Sequence, residues 1–515
     1  MEISLLAKIN GATLVGMESH QVQVEVDVTN GLPAFEIVGL PDAGVRESRI
    51  RVKSAIRNSL YEFPNRRIHV NLAPANLKKE GPSFDLPLAL AILQATEQLK
   101  PSRPPAFLAV GELSLDGKVR QVPGALSIAM GAKEGEAPFV LVPDGNAKEA
   151  ALVPGLDVYG VSTLREAIRF LEGRTSVSPA KVDASSLLCE NGTTGPCLSE
   201  VRGQEPAKRA LEVAAAGGHN LLMIGPPGSG KTMLARRMPG ILPRLSLGEA
   251  LEVTRIASIA GLLPPGGSLL TTRPFRSPHN SASAVALTGG GYPLPRPGEV
   301  SLAHSGVLYM DELTLYPRNA LESLRGPLED RQITIIRSMV PVTYPARFSL
   351  VASMNPCPCG YLGDQERECG CSVGDIQRYR SRVSGPLLDR IDIQVEAPRL
   401  TRGQLMAREK GEPSLSVRDR VVTACRIQQE RFSGGGIFCN SEMSHSQVER
   451  FCALSPEGER FLGLAVERLA LSARSYHRAL KVARTIADLS GSEHIEVEHL
   501  AEAIQYRCLE RSPFS

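Results

Sequence analysis

Gly225-Pro-Pro-Gly-Ser-Gly-Lys-Thr232 restricts the fold of this chain more tightly than any other stretch. It fills every fixed position of G-x-x-x-x-G-K-[ST], and the apolar run Leu221-Leu-Met-Ile224 stands directly before it. That order demands a strand, a sharp turn and a helix in succession. Gly225, Gly228 and Gly230, with Pro226, Pro227 and Ser229 between them, let the backbone aim N–H groups at phosphate oxygens. The helix behind the turn adds its positive N-terminal end. Lys231 is expected to reach the β- and γ-phosphates, and the Thr232 hydroxyl to hold Mg²⁺. The motif predicts a nucleoside triphosphate as ligand.

At 515 residues the chain exceeds a single hydrophobic core. Residues 1–172 mix strand and helix patterns. Val22-Gln-Val-Glu-Val-Asp-Val28 alternates strictly, as a half-buried strand does; Arg66–Leu72 reads as another strand and Leu86–Leu93 as a buried helix. Thr175 to Pro196 is rich in Ser, Gly, Thr and Pro, so a linker is expected over 173–198. Residues 199–398 alternate apolar strands with helices, the pattern of an α/β domain. From 399 to 515 the periodicity is helical, with Ser444-His-Ser-Gln447 at capping-box spacing and Ser455-Pro456 offering an N-cap followed by proline. The expected architecture is multidomain α/β: an α+β front domain, a central P-loop core and a C-terminal helical lid.

The apolar run Leu86–Leu93 is far short of the roughly 20 residues a membrane span requires. Met1-Glu-Ile-Ser-Leu-Leu6 lacks the basic start of a signal peptide. Ten cysteines spread through a chain of this kind point to a reducing, cytoplasmic setting rather than a disulfide framework. With a net charge of only +3, any nucleic-acid contact must come from local basic clusters.

Gly306-Val-Leu-Tyr-Met-Asp-Glu312 is an apolar strand ending in two carboxylates. Asp311 is suited to hold Mg²⁺ through its water shell and Glu312 to activate the attacking water. Ser349-Leu-Val-Ala-Ser-Met-Asn355 is a further apolar strand ending in an amide, so Asn355 is expected to orient that water or touch the γ-phosphate.

The succession of phosphate loop, Asp-Glu strand and Asn-ended strand resembles the AAA+ ATPases, which implies ATP as the nucleotide. Val201-Arg-Gly-Gln-Glu-Pro-Ala-Lys208 is similar to the segment lying over the adenine in that superfamily. Gly385-Pro-Leu-Leu-Asp-Arg-Ile-Asp-Ile393 resembles the segment carrying the arginine finger, which implies Arg390, with Arg382 as the alternative. Leu471-Ser-Ala-Arg474 resembles sensor 2, which implies Arg474 on the γ-phosphate. Phosphoryl transfer offers little covalent chemistry to assist, so a finger of this kind supplies about 10³–10⁵ in rate. A finger given to a neighbour implies a closed head-to-tail ring. The superfamily implies a hexamer.

Arg273-Pro-Phe-Arg-Ser-Pro-His279, Pro327–Ile335, Tyr344–Gly360 and Leu471–Leu489 closely resemble the magnesium-chelatase-like ATPases of the YifB/ComM family, over nearly the whole length. The resemblance implies a hexameric, ATP-driven DNA helicase. Its expected work is to migrate branches and integrate single-stranded DNA during homologous recombination and natural transformation, on single-stranded or branched DNA and alongside recombination proteins. A protein-remodelling AAA+ chaperone and the ATPase subunit of a metal chelatase are the competing readings.

Gln332–Arg347 reads as a hairpin with Arg337 at its tip, where related motors insert a loop into the channel. Arg337, with Arg273 and Arg276 in the preceding insert, is expected to grip phosphates. With no Trp and 4% aromatic residues, the chain is expected to track the backbone rather than stack bases. Arg46, Arg49, Lys53 and Arg57 fall along one helical stripe, either a second DNA surface or a solvated face. Lys78–Asp85 and Val110–Val119 resemble the proteolytic domain of Lon, a ribosomal-S5-like fold, with Ser83 at the nucleophile's place. Ile128 stands where that chemistry needs a lysine, and Lys118 and Lys133 are nearby in sequence. Protease activity is not expected. Cys357-Pro-Cys359 and Cys369-Gly-Cys371, two C-x-C pairs with nine residues between, are candidate ligands of a structural Zn²⁺.

Overall fold

The long hairpin Leu5–Val15 and Glu18–Thr29 organises the N-terminal domain, its two strands antiparallel and in register from Leu5 opposite Val28 to Val15 opposite Glu18. The computed structural model describes residues 5–507 apart from 105, 191–194, 265, 292–294, 337–340, 365, 402, 405–410, 435 and 470. The hairpin sits inside a seven-stranded sheet in the order Ala34–Val38, Arg67–Ala73, Glu18–Thr29, Leu5–Val15, Leu108–Ala109, Phe139–Pro143, Asp157–Val161. As the alternation predicts, Val22, Val24, Val26 and Val28 are buried while the residues between them are less so. The helix Asp85–Ala95 has no polar face, because Leu86 to Leu93 are all buried beneath the sheet. Each large apolar side chain so enclosed contributes about 1.5–3 kcal/mol.

The Ser- and Gly-rich segment after this sheet is less plain than its composition suggests. It holds the helix Ala184–Glu190, and Ala180, Val182 and Ala184 pack beside Val140 and Val158. A few apolar residues spaced through polar sequence are enough to lay it against the front domain.

The second sheet is parallel, in the order Phe275–Arg276, Val307–Met310, Ser349–Met354, Leu221–Ile224, Ile393–Glu396. Its strands are apolar on both faces, as expected of a sheet covered on both sides. Leu221, Met223, Tyr309 and Val351 join one cluster; Leu222, Ile224, Leu308, Met310 and Leu350 join another. The first of these clusters is shared with the helical C-terminal region: Ser414–Arg431, His445–Phe451, Pro456–Leu469, Ala473–Leu489 and Val497–Gln505. The capping box at Ser444 and Gln447 forms as the spacing predicts, and the Ser455 hydroxyl accepts from Gly458 N at 3.1 Å.

The front domain docks on the helix Leu247–Ile259. Gly124 N donates to Ser258 Oγ at 2.8 Å, and Arg255 donates to Met17 O at 2.6 Å and to Ser127 Oγ at 3.1 Å. Strands Gln332–Ile335 and Val342–Pro345 pair as the expected hairpin, and its Ile335, Val342 and Tyr344 pack against Val15 and Met17. The hairpin tip, with Arg337, lies outside the described residues. No helix among the described residues is long and apolar enough to cross a membrane.

Candidate active site

The phosphate loop leaves the sheet between its two neighbours. Ala397 N donates to Ile224 O at 2.7 Å and Gly225 N to Met354 O at 3.2 Å, so both flanking strands hold the loop's root. A Cβ on Gly225 would lie 2.0 Å from Ala397 O, and only glycine turns here. Gly230, at φ +90°, leads into the helix that begins at Lys231. Gln204, in the segment expected to cover adenine, is buried and bridges Ser229 O at 3.0 Å and Pro398 O at 2.6 Å. That amide ties the loop to the chain leaving the edge strand. Sequence reasoning passed over it.

Lys231 Nζ donates to Gly225 O at 2.7 Å and Pro226 O at 2.8 Å. Burial holds its pKa below the usual lysine value, against the opposing charges of Asp311 and Glu312. An arriving phosphate would exchange neutral carbonyls for anionic oxygens, a stronger partner for an ammonium in a desolvated site. Across the loop, Thr232 Oγ1 donates to Asp311 Oδ2 at 3.1 Å. Asp311 Oδ1 accepts from Ser353 Oγ at 2.5 Å, Tyr309 OH at 2.9 Å and Glu312 N at 3.1 Å. Burial alone would raise the Asp311 pKa, but the donors Ser353, Tyr309 and Thr232 hold it below the usual carboxylate value. A hydroxyl and an ionised carboxylate are the hard oxygen donors that suit Mg²⁺. When bound there, the ion would offset charge on the phosphates. Tyr309 and Ser353 were not expected from the motifs, though each lies two residues before a named site residue on its strand and so shares its face.

Glu312 has φ +52°, a left-handed conformation rare for a residue with a side chain. This bend turns it out of the strand line to an exposed position on a cleft of about 370 Å³, lined also by Gly228, Lys231, Thr232, Asp311 and Asn355. The loop, both carboxylates and the amide expected from sequence are thus brought to one cleft.

The two arginines are not. Arg390 is buried, with Nη1 donating to Pro386 O at 2.6 Å and Nη2 2.5 Å from Glu329. Arg474 is 67% exposed and 3.8 Å from Asp389. Both line a separate cavity of about 240 Å³, together with Asn220, Asp392, Arg478 and Lys481. Asn220 and Asp392 stand immediately before strands Leu221–Ile224 and Ile393–Glu396, whereas the phosphate loop follows Ile224. A strand of 4 residues spans roughly 13 Å, so the arginines lie at the opposite end of the sheet from their own phosphate cleft. Arg382 is exposed.

Arg273 does not present a guanidinium to solvent. It is largely enclosed and donates to Pro243 O and Ser305 O, each at 2.6 Å, beside Glu249 at 3.3 Å. Arg276 forms a fork with Glu299, both contacts at 2.7 Å. Each guanidinium thus has an internal partner in this structure, and the enclosed Arg273 finds in it the carbonyls and charge that a desolvated guanidinium requires. Arg46, Arg49, Lys53 and Arg57 are exposed on the helix Ala43–Asn58.

Ser83 lies in the short turn Pro82–Phe84, and Ile128 is buried in an apolar cluster with Leu126 and Val140. Lys133 donates to Pro154 O at 2.5 Å, and Lys118 lies 3.4 Å from Asp116, so both lysines are engaged elsewhere. The sulfurs of Cys357, Cys359, Cys369 and Cys371 all fall within 4.8 Å of one another.

Comparison with known proteins agrees with this geometry. The family model described as magnesium chelatase, subunit ChlI, matches residues 197–405; a second ChlI model matches 24–146, and the ChlI C-terminal model 411–507. The competence protein ComM of Haemophilus influenzae is 43% identical over 511 residues, 98% of either chain. The YifB protein of Salmonella typhimurium is 43% identical over 509 residues, again 98% of each. The magnesium-chelatase 38 kDa subunit of Rhodobacter capsulatus is 28% identical over 177 residues, 31% of this chain and 50% of that one. With a P-loop, an Asp-Glu strand and three consecutive ChlI-type segments, the chain belongs to the YifB/ComM family of magnesium-chelatase-like AAA+ ATPases.

Proposed function

We propose that this ATPase is a hexameric ring motor on DNA, a branch-migration helicase that promotes integration of single-stranded DNA during recombination. The observation that carries the ring is the separation of Arg390 and Arg474 from their own phosphate cleft. Two arginines at the far end of the sheet serve a nucleotide only when a neighbouring protomer brings its loop to them, and head-to-tail contacts of that sort close into rings. In this reading Glu312 takes a proton from the attacking water, Asn355 orients that water, and Asp311 with Thr232 holds Mg²⁺. Arg390 and Arg474 meet the neighbour's γ-phosphate, where fixed positive charge favours the transition state over the ground state.

The DNA reading rests on the near full-length likeness to a competence protein and on the hairpin Gln332–Pro345, whose position between the Asp-Glu and Asn strands suits a loop facing the channel. Arg337 at its tip takes the phosphate-gripping role. Arg273 and Arg276 are better suited to bracing the insert than to holding DNA. Residues 1–172 form the front domain, 173–198 the linker, 199–398 the motor core and 399–515 the lid, working in the cytoplasm with recombination proteins. The four cysteines hold a structural Zn²⁺.

The test uses full-length protein with ATP and a three-strand junction. Branch migration that requires ATP, with turnover stimulated by single-stranded or branched DNA and weakened by salt, supports the reading. DNA that neither binds nor accelerates turnover overturns it. Stimulation by a folded protein instead favours the remodelling chaperone.

A further inference from the structure

We infer that the four-cysteine knuckle is a metal-dependent prop beneath the phosphate loop, with Gly360 as its point of contact. The inference rests on the zinc reading above and adds what that metal is for.

The knuckle begins directly after Asn355, the amide at the end of the Ser349–Met354 strand. Cys357 Sγ lies 3.3 Å from Cys359 Sγ and 3.6 Å from Cys369 Sγ, and Cys359 to Cys369 is also 3.6 Å. Four thiolates around Zn²⁺ at about 2.3 Å stand roughly 3.8 Å apart, so these three sulfurs need to open by only tenths of an ångström, and the Cys371 sulfur lies within 4.8 Å of each of them. Soft thiolates select a zinc-like ion over the Mg²⁺ of the neighbouring cleft. Four protein ligands leave no open position, so the ion takes no part in hydrolysis.

The contact is made one residue further on. Gly360 N donates to Cys357 O at 3.0 Å, closing a tight turn at φ +85°. A Cβ added to Gly360 would lie 2.7 Å from Cδ and 3.1 Å from Cγ of Pro227, and 3.9 Å from Asn355 Cγ. The bare backbone of the turn therefore rests on the proline ring of the phosphate loop while flanking the amide of Asn355. Pro227 and Asn355 both line the nucleotide cleft. On its other side the knuckle runs into the helix Val373–Arg380, capped by Ser372, whose Arg380 donates back to Pro356 O at 3.3 Å. Both ends of the knuckle are anchored in the motor core. Arg367 Nη1 already donates to Tyr361 OH at 2.8 Å across the knuckle, and a metal held by all four thiolates would fasten the Cys369–Cys371 pair to the Cys357–Cys359 pair and so hold the Gly360 turn against Pro227.

Gly363 provides an internal control. It belongs to the same knuckle and has φ +79°, yet a Cβ there meets nothing within 4 Å. Gly360→Ala and Gly363→Ala thus carry similar backbone strain, and only the first presses on Pro227.

The experiment measures zinc content by mass spectrometry and Mg²⁺-dependent affinity for a fluorescent ATP analogue, on full-length wild type, Gly360→Ala, Gly363→Ala and Cys369→Ser. The expected results are one zinc per wild-type chain and zinc retained in both glycine variants. Nucleotide affinity should fall about 10- to 100-fold in Gly360→Ala and stay within a few-fold of wild type in Gly363→Ala. Cys369→Ser should lose both zinc and nucleotide affinity. Wild-type protein that carries no zinc when its thiols are reduced overturns the zinc reading, and the prop with it. Zinc present, with Gly360→Ala binding nucleotide as tightly as Gly363→Ala, overturns the prop alone.

Discussion

Arg390 meets Glu329 at 2.5 Å, and this ion pair secures the guanidinium within its own chain, at the opposite end of the sheet from the phosphate loop. In the proposed ring, a neighbour's phosphate must compete with Glu329 for it. Arg390→Ala subunits and Lys231→Ala subunits are each expected to lose turnover by about 10³ or more. Mixed together they should recover part of it, because some seams then pair an intact loop with an intact arginine. Phosphate release across mixing ratios is the measurement; a flat, inactive series favours a cis role for Arg390 or a finger at Arg382.

Glu312→Gln keeps the shape of the side chain and removes the base. Turnover is expected to fall about 10²- to 10⁴-fold, with nucleotide affinity and assembly retained. Steady-state phosphate release and light scattering read the two separately. Turnover near the wild-type rate would free Glu312 of the assigned role.

Ser353→Ala removes one donor from Asp311. Mg²⁺ affinity is expected to fall about 10-fold or more, as for other residues that orient a ligand. Asp311 has its pKa lowered in the folded chain, so its charge is present above that value and lost as pH falls through it. Loss of the donor raises that value. The acid limb of a pH profile for Mg²⁺-ATP binding should therefore move upward, and an unmoved limb would leave Ser353 without this role.

Asp392 is buried between Arg478 Nη1, 2.6 Å from Oδ1, and Asn220 N, 3.1 Å from Oδ2, with His219 beside it. Burial opposes its charge, but Arg478 and His219 outweigh that and hold the carboxyl well below its usual range. Its contribution to stability is complete above the unfolded value of about 3.9 and drains away as pH falls through the folded one. Asp392→Asn should cost about 3 kcal/mol at neutral pH, because Arg478 loses its partner. It should also flatten the acid limb of the melting curve. Thermal melts from pH 7 to pH 3 provide the check.

The parts of the site that were legible in sequence are those written in consecutive residues. Lys231, Thr232, Asp311, Glu312 and Asn355 each end or follow an apolar strand, and the cleft collects them as that pattern implies. What was not legible depends on which strands become neighbours. Ser353 reaches Asp311 only because Ser349–Met354 lies beside Val307–Met310, and Gln204 reaches Ser229 O from a separate helix start. Arg273 shows the converse: a basic residue in a polar insert reads as exposed, yet its guanidinium folds inward to two carbonyls. The left-handed turn at Glu312 has no glycine or asparagine to announce it.

The turn at Val15–Glu18 bears directly on how the proposed motor would transmit force. Ile335, Val342 and Tyr344 are seated against Val15 and Met17, and Arg255 pins the same corner through Met17 O. In the proposed motor, a stroke of the Gln332–Pro345 arm must either haul the whole N-terminal body along or tear apolar surface away from it. In such a motor, cargo drawn past that arm is thus felt far upstream in the polypeptide, at Val15 and Met17, which makes the front of the chain part of the machine's lever.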